Sequence, residues 1–288
     1  MKACNRADYF QKSLRSIAEC EGVKAWSIII GLEPTAVAKD HIEIAQALKD
    51  SHDLNITIYK HEERHGCAGN ARFCLEKGFE KSDFVLHTED DIILSKGTLK
   101  YFENLMPTYE NDSEMFAVCS FNRNVWAEQY PKEKPDHFPE IGSNNNKLYL
   151  RRWFEMGGTF MLCRREWDAI LKEGGMYGVI GKCNQNRTGI DWKKQLQVSD
   201  WGSWGWTYNK HFRGTKYCLF PVTSRTQNIG SVPHPYSTFN PSEEFHKKCI
   251  YDPKWIGNNG CKEGAYEILD DFIFKDPDVG DLWLKDTL

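Results

Sequence analysis

Phe84-Val85-Leu86-His87-Thr88-Glu89-Asp90-Asp91 is the stretch of sequence that decides the fold. Its first four residues form a short, mostly apolar run, which is typical of a strand buried on both faces of a parallel sheet. Three acidic residues follow this run almost directly. Because ligands of open α/β sheets bind beyond the carboxyl ends of the strands, the stretch predicts a sheet edge that carries a polar site.

Two further strand patterns precede this stretch and alternate with helix patterns. Residues 26–30 form a short apolar run, and residues 54–59 alternate between apolar and polar side chains. Apolar residues at helical spacing occupy 36–48 and 69–78. The order strand, helix, strand, helix, strand with short connections predicts a parallel, doubly wound sheet covered by helices.

The second half of the chain has a different pattern. Strands are predicted at 115–121, 159–162 and 218–222, helices at 166–171 and 264–274, polar or Gly- and Asn-rich stretches at 122–148 and 174–195, and an aromatic stretch at 200–209. We therefore expect one domain built from two halves, 1–112 and 113–240, with a C-terminal extension at 241–288.

Composition and charge exclude several classes of partner. The chain has 288 residues and a formal net charge of -4, which disfavours nucleic acid as a partner because such proteins usually carry a basic face. No apolar run reaches the ~20 residues that a membrane-spanning helix needs. The first residues lack the apolar core of a signal peptide, and the ten cysteines are scattered without paired spacing. These features predict a cytoplasmic protein with reduced cysteines.

The acidic cluster Glu89-Asp90-Asp91 permits two explanations. Crowded carboxylates repel one another unless a cation or hydrogen-bond donors compensate them. A hard divalent cation with oxygen ligands would do so, and it would also bridge a diphosphate and stabilise a leaving group as a Lewis acid. Alternatively, the cluster is a solvated acidic turn before the next element. These three residues alone do not choose between the two.

Two other polar loops are predicted at the same edge of the sheet. Glu33 follows the strand at 26–30, and His65 follows the strand at 54–59. The small-residue turn at 66–69 opens a helix whose free N–H groups suit an anion, with Asn70 and Arg72 as candidates to hold a base or a diphosphate. An ordinary helix start with a surface arginine explains the same residues.

The string His61-Glu62-Glu63-Arg64-His65 matches the HExxH pattern of zinc peptidases. That chemistry needs both histidines one turn apart on a helix, with the first glutamate as general base. Here a strand precedes the string directly and Gly66 follows it, so we expect a polar loop. A zinc-dependent hydrolase that uses His61, Glu62 and His65 remains an alternative.

The acidic stretch is similar to the Asp-x-Asp region of GT-A glycosyltransferases, and its Glu-Asp-Asp form most resembles the family of N-acetylglucosaminyltransferase I and its relatives. The likeness continues in chain order over roughly residues 1–240. The other segments that carry it are 3–6, 28–33, 64–65, 118–122, 154–162 with its double glycine, and 224–230 followed by His234.

This resemblance implies a GT-A (Rossmann-like) fold with a mixed, mostly parallel sheet flanked by helices. It assigns residues 1–112 to a nucleotide-sugar-binding half and 113–240 to an acceptor-binding and catalytic half. The donor it implies is a UDP-sugar, with glucose or N-acetylglucosamine as the sugar and Mn²⁺ or Mg²⁺ as the cation. The resemblance implies that Asp91 and His234 bind the metal. It implies that Glu33 contacts the nucleobase, that Arg64 and His65 contact uracil and the diphosphate, and that Glu89 and Asp90 contact the ribose and the sugar. Gly157 and Gly158 would lie in the loop beneath the acceptor.

The sequence departs from the family in its first strand, which is abbreviated to about 1–4, and at the catalytic base. An inverting transfer needs a base for the acceptor hydroxyl. By its spacing to the segment 224–226, the residue that matches the family's base is Gly205, which is not an acid. The nearest acid, Asp200, is therefore the candidate. The neighbouring Trp201, Trp204 and Trp206 form either a core strand or a platform for the acceptor. The acceptor itself, a glycan, lipid or protein, is not indicated. A non-catalytic sugar-binding module would also use aromatic side chains, but it would not need the acidic cluster.

Overall fold

The computed structural model describes residues 1–120, 149–152, 159–173, 212, 215–221, 225–228 and 283–284. For 67–68, 149–152, 227–228 and 283–284 it describes the backbone alone. The predicted features at 122–148, 174–195, 200–209 and 264–274 lie outside these residues. Within the described part, no helix is both long enough and apolar enough to cross a membrane.

Five helices and eleven strands make up the described part. The helices are α1 (Ala7–Ala18), α2 (Ala38–His52), α3 (Gly66–Phe79), α4 (Thr98–Asn111) and α5 (Arg164–Lys172), with a short 3-10 helix at Val23–Ala25. The strands are β1 (Lys2–Ala3), β2 (Ser27–Leu32), β3 (Asn55–Lys60), β4 (Phe84–His87), β5 (Ile92–Leu94), β6 (Met115–Cys119), β7 (Tyr149–Arg152), β8 (Phe160–Cys163), β9 (Tyr217–Pro221), β10 (Thr226–Asn228) and β11 (Trp283–Leu284).

Two sheets meet at the end of β4. The first has the order β1-β2-β3 and is parallel throughout, and the second has the order β11-β7-β9-β6-β8-β4. They are joined where Lys2 forms a parallel bridge with Glu89 and its amide donates to the carbonyl of Thr88 at 3.2 Å. Strand β8 runs antiparallel to both β4 and β6. The predicted α/β class, with a mixed sheet flanked by helices, is confirmed.

Apolar side chains of the helices pack against both sheets. Phe10 and Leu14 of α1 are fully buried with the apolar residues of β1 and β2, while Trp167 and Ile170 of α5 pack with β6, β8 and β9. Burial of such side chains contributes about 1.5–3 kcal/mol each. These packed layers therefore stabilise the strands whose carboxyl ends form the edge of the sheet.

Helix α3 lies unusually close to the sheet because glycines replace side chains at the contact. A Cβ atom on Gly31 would lie 2.1 Å from Oδ1 of Asn70 and 2.7 Å from Sγ of Cys74. At the other end of the helix, a Cβ atom on Gly78 would lie 2.7 Å from Cγ1 of Val85. This close approach brings the start of α3 to the ends of β1 and β2.

Helix α4 is not among the elements that the sequence predicted. It contains Pro107, which removes a backbone donor from a helix interior and usually indicates a break. Burial of Phe102, Leu105 and Tyr109 against β6 and β8 outweighs that penalty. Strand β5, which pairs antiparallel with β10, brings residues 226–228 back beside the acidic turn.

Candidate functional site

The acidic residues lie in the turn between β4 and β5. Asp90 and Asp91 are buried, and the turn is held from α1, where the hydroxyl of Ser13 donates to the carbonyl of Glu89 at 3.1 Å or to that of Ile92 at 2.5 Å. The turn therefore lies at the carboxyl end of β4, where the sequence predicted a polar site. The alternative of a solvated acidic turn is wrong in one respect, because two of the three carboxylates are shielded from water.

Side chains of the protein itself compensate most of the acidic charge. One Nη of Arg6 lies 2.9 Å from Oδ1 of Asp90 and 2.9 Å from Oδ2 of Asp91. Lys2 lies 3.2 Å from a carboxylate oxygen of Glu89, and the amide of Cys4 donates to Oδ2 of Asp90 at 3.1 Å. Of the two expected kinds of compensation, a cation or hydrogen-bond donors, the described residues supply donors and cationic side chains. Three carboxylates face two cationic side chains, which leaves one net negative charge.

Asp91 keeps one carboxylate oxygen unused. Its Oδ1 is buried and has no hydrogen-bond partner among the described residues. Burial, reinforced by the charge of Glu89 and opposed by Arg6, raises the pKa of Asp91 to about 6. An unpartnered buried oxygen is costly, and a cation or a donor from a ligand would relieve that cost. Asp91 thus fits the predicted role of direct ligand to Mn²⁺ or Mg²⁺, both of which prefer oxygen. No cluster of three or more ligating side chains occurs in the described part, so other ligands would come from elsewhere.

Glu33 lies beside the acidic turn, directly after β2. Its side chain is buried, Oε2 accepts the amide N–H of His65 at 3.1 Å, and Oε1 has no partner among the described residues. The thiol of Cys4 lies close enough to both Glu33 and Asp90 for their charges to act on it. Burial, then the charges of Glu33 and Asp90, raise the pKa of its thiol. Two buried carboxylate oxygens without partners therefore flank the end of β1.

The loop at 61–65 does not have the geometry of a zinc peptidase. It is not helical, and α3 begins only at Gly66. The rings of His61 and His65 stack face to face with centroids 3.8 Å apart, and Nε2 of His61 contacts Oδ1 of Asn70 at 3.1 Å. Glu62 is exposed. The alternative of a zinc hydrolase therefore lacks its required helix.

Several predicted contacts with a ligand turn out to have partners inside the protein. The amide of Asn70 donates to the carbonyl of Gly31 at 2.9 Å and lies against that of Ala3 at 3.4 Å, so it holds β1 to β2 and has no free polar atom for a nucleotide. Arg72 pairs with Glu76 one turn along α3. Each oxygen of Asp90 accepts one hydrogen bond, from Arg6 and from the amide of Cys4, so Asp90 helps to hold the turn, and its expected contact with ribose or sugar stays a prediction.

The remaining predicted site residues fall in two groups. Arg64 is exposed and His65 half-buried on the loop beside Glu33, so both border the site. Asp200, His234, Gly157 and Gly158 lie outside the described residues, and their roles stay predictions.

Sequence reasoning missed Arg6, Lys2 and Ser13. They lie 76 to 87 residues away along the chain from the acidic residues that they contact. The signal that could have found Arg6 is its position between the first strand and α1, where a strand of the same sheet ends.

Comparisons with known proteins give little guidance on function. No protein family profile matches the chain, and no curated protein matches it. Solved structures do match, and one of them is the mannosyltransferase PcManGT from Pyrobaculum calidifontis in complex with GDP-Man and Mn²⁺. The match has a TM-score of 0.41 and 16% identity and covers 61% of this chain and 46% of that chain. The chain thus spans about half the length of that structure, and a similarity of this size assigns no activity to it.

Proposed function

We propose that the chain is a glycosyltransferase that takes a sugar from a nucleotide-sugar donor and uses a divalent cation at Asp91. The observation that carries the proposal is the buried Oδ1 of Asp91, which has no partner among the described residues, in a turn where both oxygens of Asp90 accept hydrogen bonds. A turn with a purely structural role would satisfy its buried oxygens, because leaving one unpaired costs about 1–3 kcal/mol. The unpaired oxygen therefore favours a ligand site over a structural turn.

Glu33, on the other side of β1, is the observation that favours a nucleobase as part of the ligand. Its Oε1 is buried and needs a donor, and uracil offers one in its ring N–H. The backbone of His65 already holds the second oxygen, so the carboxylate has a fixed orientation. We therefore propose a UDP-sugar, with glucose or N-acetylglucosamine as the sugar, and place Arg64 and His65 along the nucleotide.

The proposed cation is Mn²⁺ or Mg²⁺, held by Asp91 and, outside the described residues, by His234. When bound, such an ion acts as a Lewis acid that offsets the charge developing on the departing diphosphate. Arg6 and Lys2 leave one net negative charge on the turn, which attracts a divalent cation without the repulsion of three bare carboxylates.

The proposed transfer is a single displacement with inversion. A hydroxyl of the acceptor attacks the anomeric carbon, the bond to UDP breaks, and the hydroxyl proton passes to Asp200 as the general base. The loop at Gly157 and Gly158 is proposed to lie beneath the acceptor, which is a glycan, a lipid or a protein.

Calorimetric titration of UDP in Mn²⁺ and in EDTA tests the proposal. We expect binding at least ~10-fold tighter in Mn²⁺, a difference of about 1.4 kcal/mol. Asp91→Asn should remove that difference. Asp83→Asn is the matched control, because Asp83 is an exposed partner of Arg164 at the start of β4. Equal affinity of the unaltered protein in Mn²⁺ and EDTA would contradict the cation site, and sugar binding without UDP or cation would favour a sugar-binding module.

A further inference from the structure

Arg6 is held in a fixed position between the acidic turn and the start of α1. Its Nη2 atom lies 2.9 Å from Oδ1 of Asp90 and 2.9 Å from Oδ2 of Asp91. Its guanidinium carbon lies 5.2 Å from the centre of the buried Tyr9 ring, a cation–π contact that adds to the attraction. Because arginine stays protonated in proteins and this side chain is only 13% exposed, the acidic turn always has a positive charge beside it.

The two carboxylate oxygens of Asp91 have different surroundings. Oδ2 accepts a hydrogen bond from Arg6, whereas Oδ1 is buried and has no hydrogen-bond partner among the described residues. Both oxygens belong to one carboxylate, so a cation bound at Oδ1 would be close to the guanidinium at Oδ2. Like charges this close repel each other, and they do so more strongly where little water screens them. Arg6 therefore lowers the affinity of Asp91 for any cation.

The summed charge of the turn leads to the same conclusion. Arg6 and Lys2 offset two of its three carboxylates, which leaves one net negative charge among the described side chains. A divalent cation alone would turn this into one net positive charge, and excess charge in a mostly buried place is costly. The diphosphate of a nucleotide sugar is an anion and would offset that excess. The turn thus favours a cation that arrives together with a diphosphate over a cation alone.

We propose that Arg6 sets the order of ligand binding, because its fixed positive charge weakens the binding of Mn²⁺ alone and strengthens the binding of the anionic nucleotide. Arg6 acts on the cation through Asp91, so it is a positioning residue and not a catalytic one. This inference rests on the proposed function, since it concerns the same cation and nucleotide site.

Arg6→Gln should change the affinities for the two ligands in opposite directions. Mn²⁺ alone should bind ~10-fold tighter or more, since a unit charge within about 4–6 Å changes the affinity of a carboxylate for a proton ~10- to 1000-fold. UDP in EDTA should bind at least ~2-fold more weakly, because the anion loses a nearby positive charge. A purely structural role of Arg6 would give a different result, because a distorted turn would bind both ligands more weakly.

Three further variants keep the test independent of the stability of Arg6→Gln. Arg6→Lys keeps the charge, so its affinity for Mn²⁺ should stay within ~3-fold of that of the unaltered protein. Lys2→Gln removes the cationic partner of Glu89, 3.2 Å away and 12% exposed, and should tighten the binding of Mn²⁺ alone by ~3-fold or more. Arg15→Gln removes an exposed charge from α1 and is the matched control, which should leave both affinities within ~2-fold.

Two binding measurements on the full chain give these affinities without any assay of transfer. The electron paramagnetic resonance signal of free Mn²⁺ gives the affinity for the cation in the absence of nucleotide. Calorimetric titration gives the affinity for UDP in EDTA and in Mn²⁺. Each variant is measured below its own unfolding transition, so that only folded protein contributes.

The outcomes separate a failure of this inference from a failure of the proposed function. If Mn²⁺ tightens the binding of UDP to the unaltered protein but neither Arg6→Gln nor Lys2→Gln tightens the binding of Mn²⁺ alone, the inference is wrong and the cation site stands. Equal tightening in Arg6→Gln and Arg6→Lys would also overturn it, since the charge would then not matter. If the unaltered protein binds UDP equally well in Mn²⁺ and in EDTA, the cation site and the inference both fail.

Discussion

Replacement of Arg6 by glutamine tests the charge arrangement of the acidic turn most directly. Its guanidinium lies 2.9 Å from a carboxylate oxygen of both Asp90 and Asp91, and all three side chains are at most 13% exposed. Glutamine keeps a donor of similar reach but removes the charge. Removing one partner from a buried ion pair typically costs about 3–5 kcal/mol, because the remaining charges lose their compensation.

The expected loss of thermal stability follows from this energy. For a chain of this size about 2–4 °C of Tm corresponds to 1 kcal/mol, so Arg6→Gln should lower Tm by ~6–20 °C in EDTA. Added Mn²⁺ should raise the Tm of this variant more than that of the unaltered protein, because the ion replaces part of the lost positive charge. Differential scanning calorimetry in EDTA and in Mn²⁺ measures both effects.

Arg15→Gln is the matched control on the same helix. Arg15 pairs with Glu19 one turn away, and the two side chains are 69% and 44% exposed. Such exposed pairs contribute only about 0–1 kcal/mol, so the control should lower Tm by no more than ~4 °C. If Arg6→Gln changes Tm no more than this control does, Arg6 does not compensate the buried carboxylates and the charge argument fails.

Three further predictions concern the chemistry of the site and the packing beneath it. Asp91→Ala should abolish sugar transfer, whereas His61→Ala should leave it largely intact; loss of a bound zinc together with activity in the second variant would refute the transferase. Asp200→Asn should keep UDP affinity and lose ~10²–10⁴ of the transfer rate, and survival of transfer within a few-fold would exclude this base. Gly31→Ala should destabilise the protein by about 1–3 kcal/mol, since its Cβ would meet α3 side chains at 2.1 and 2.7 Å. Gly69→Ala, whose Cβ would have only an ordinary contact at 3.4 Å, should instead stabilise α3 by about 0.5–1 kcal/mol in urea unfolding.

The first half of the fold could be predicted from sequence because its elements have strong local patterns. Strands β2, β3 and β4 are short apolar or alternating runs, and all three occur where the patterns predict them. Helix α4 was not predicted, and it contains Pro107, which disfavours a helix interior, although Leu99, Phe102 and Leu105 repeat every three residues along its buried side. In that case a local rule was outweighed by burial, which depends on the rest of the structure.

The position of the site could also be predicted, but its internal bonding could not. Parallel strands bring their carboxyl ends to one edge, so Glu33 and the acidic turn were expected to be neighbours. The partner of Asp90 and Asp91 depends on the register of β1 against β2, which sets how far Arg6 reaches along the edge. Residues that are 84 positions apart carry no local signal of that register.

The distinction between a structural and a functional acidic turn rests on single oxygen atoms. Asp90 and Asp91 are adjacent, carry the same chemical group and share the same guanidinium, so their residue types alone do not separate them, and only the family resemblance gave them different roles. The amide of Cys4 gives the second oxygen of Asp90 a donor, while Oδ1 of Asp91 is left unpartnered among the described residues. An asparagine at position 90 would lose an acceptor that holds the turn, and one at position 91 would lose the free oxygen. Unequal effects of these two changes, on stability for the first and on cation-dependent UDP binding for the second, are therefore what the proposed division of roles requires.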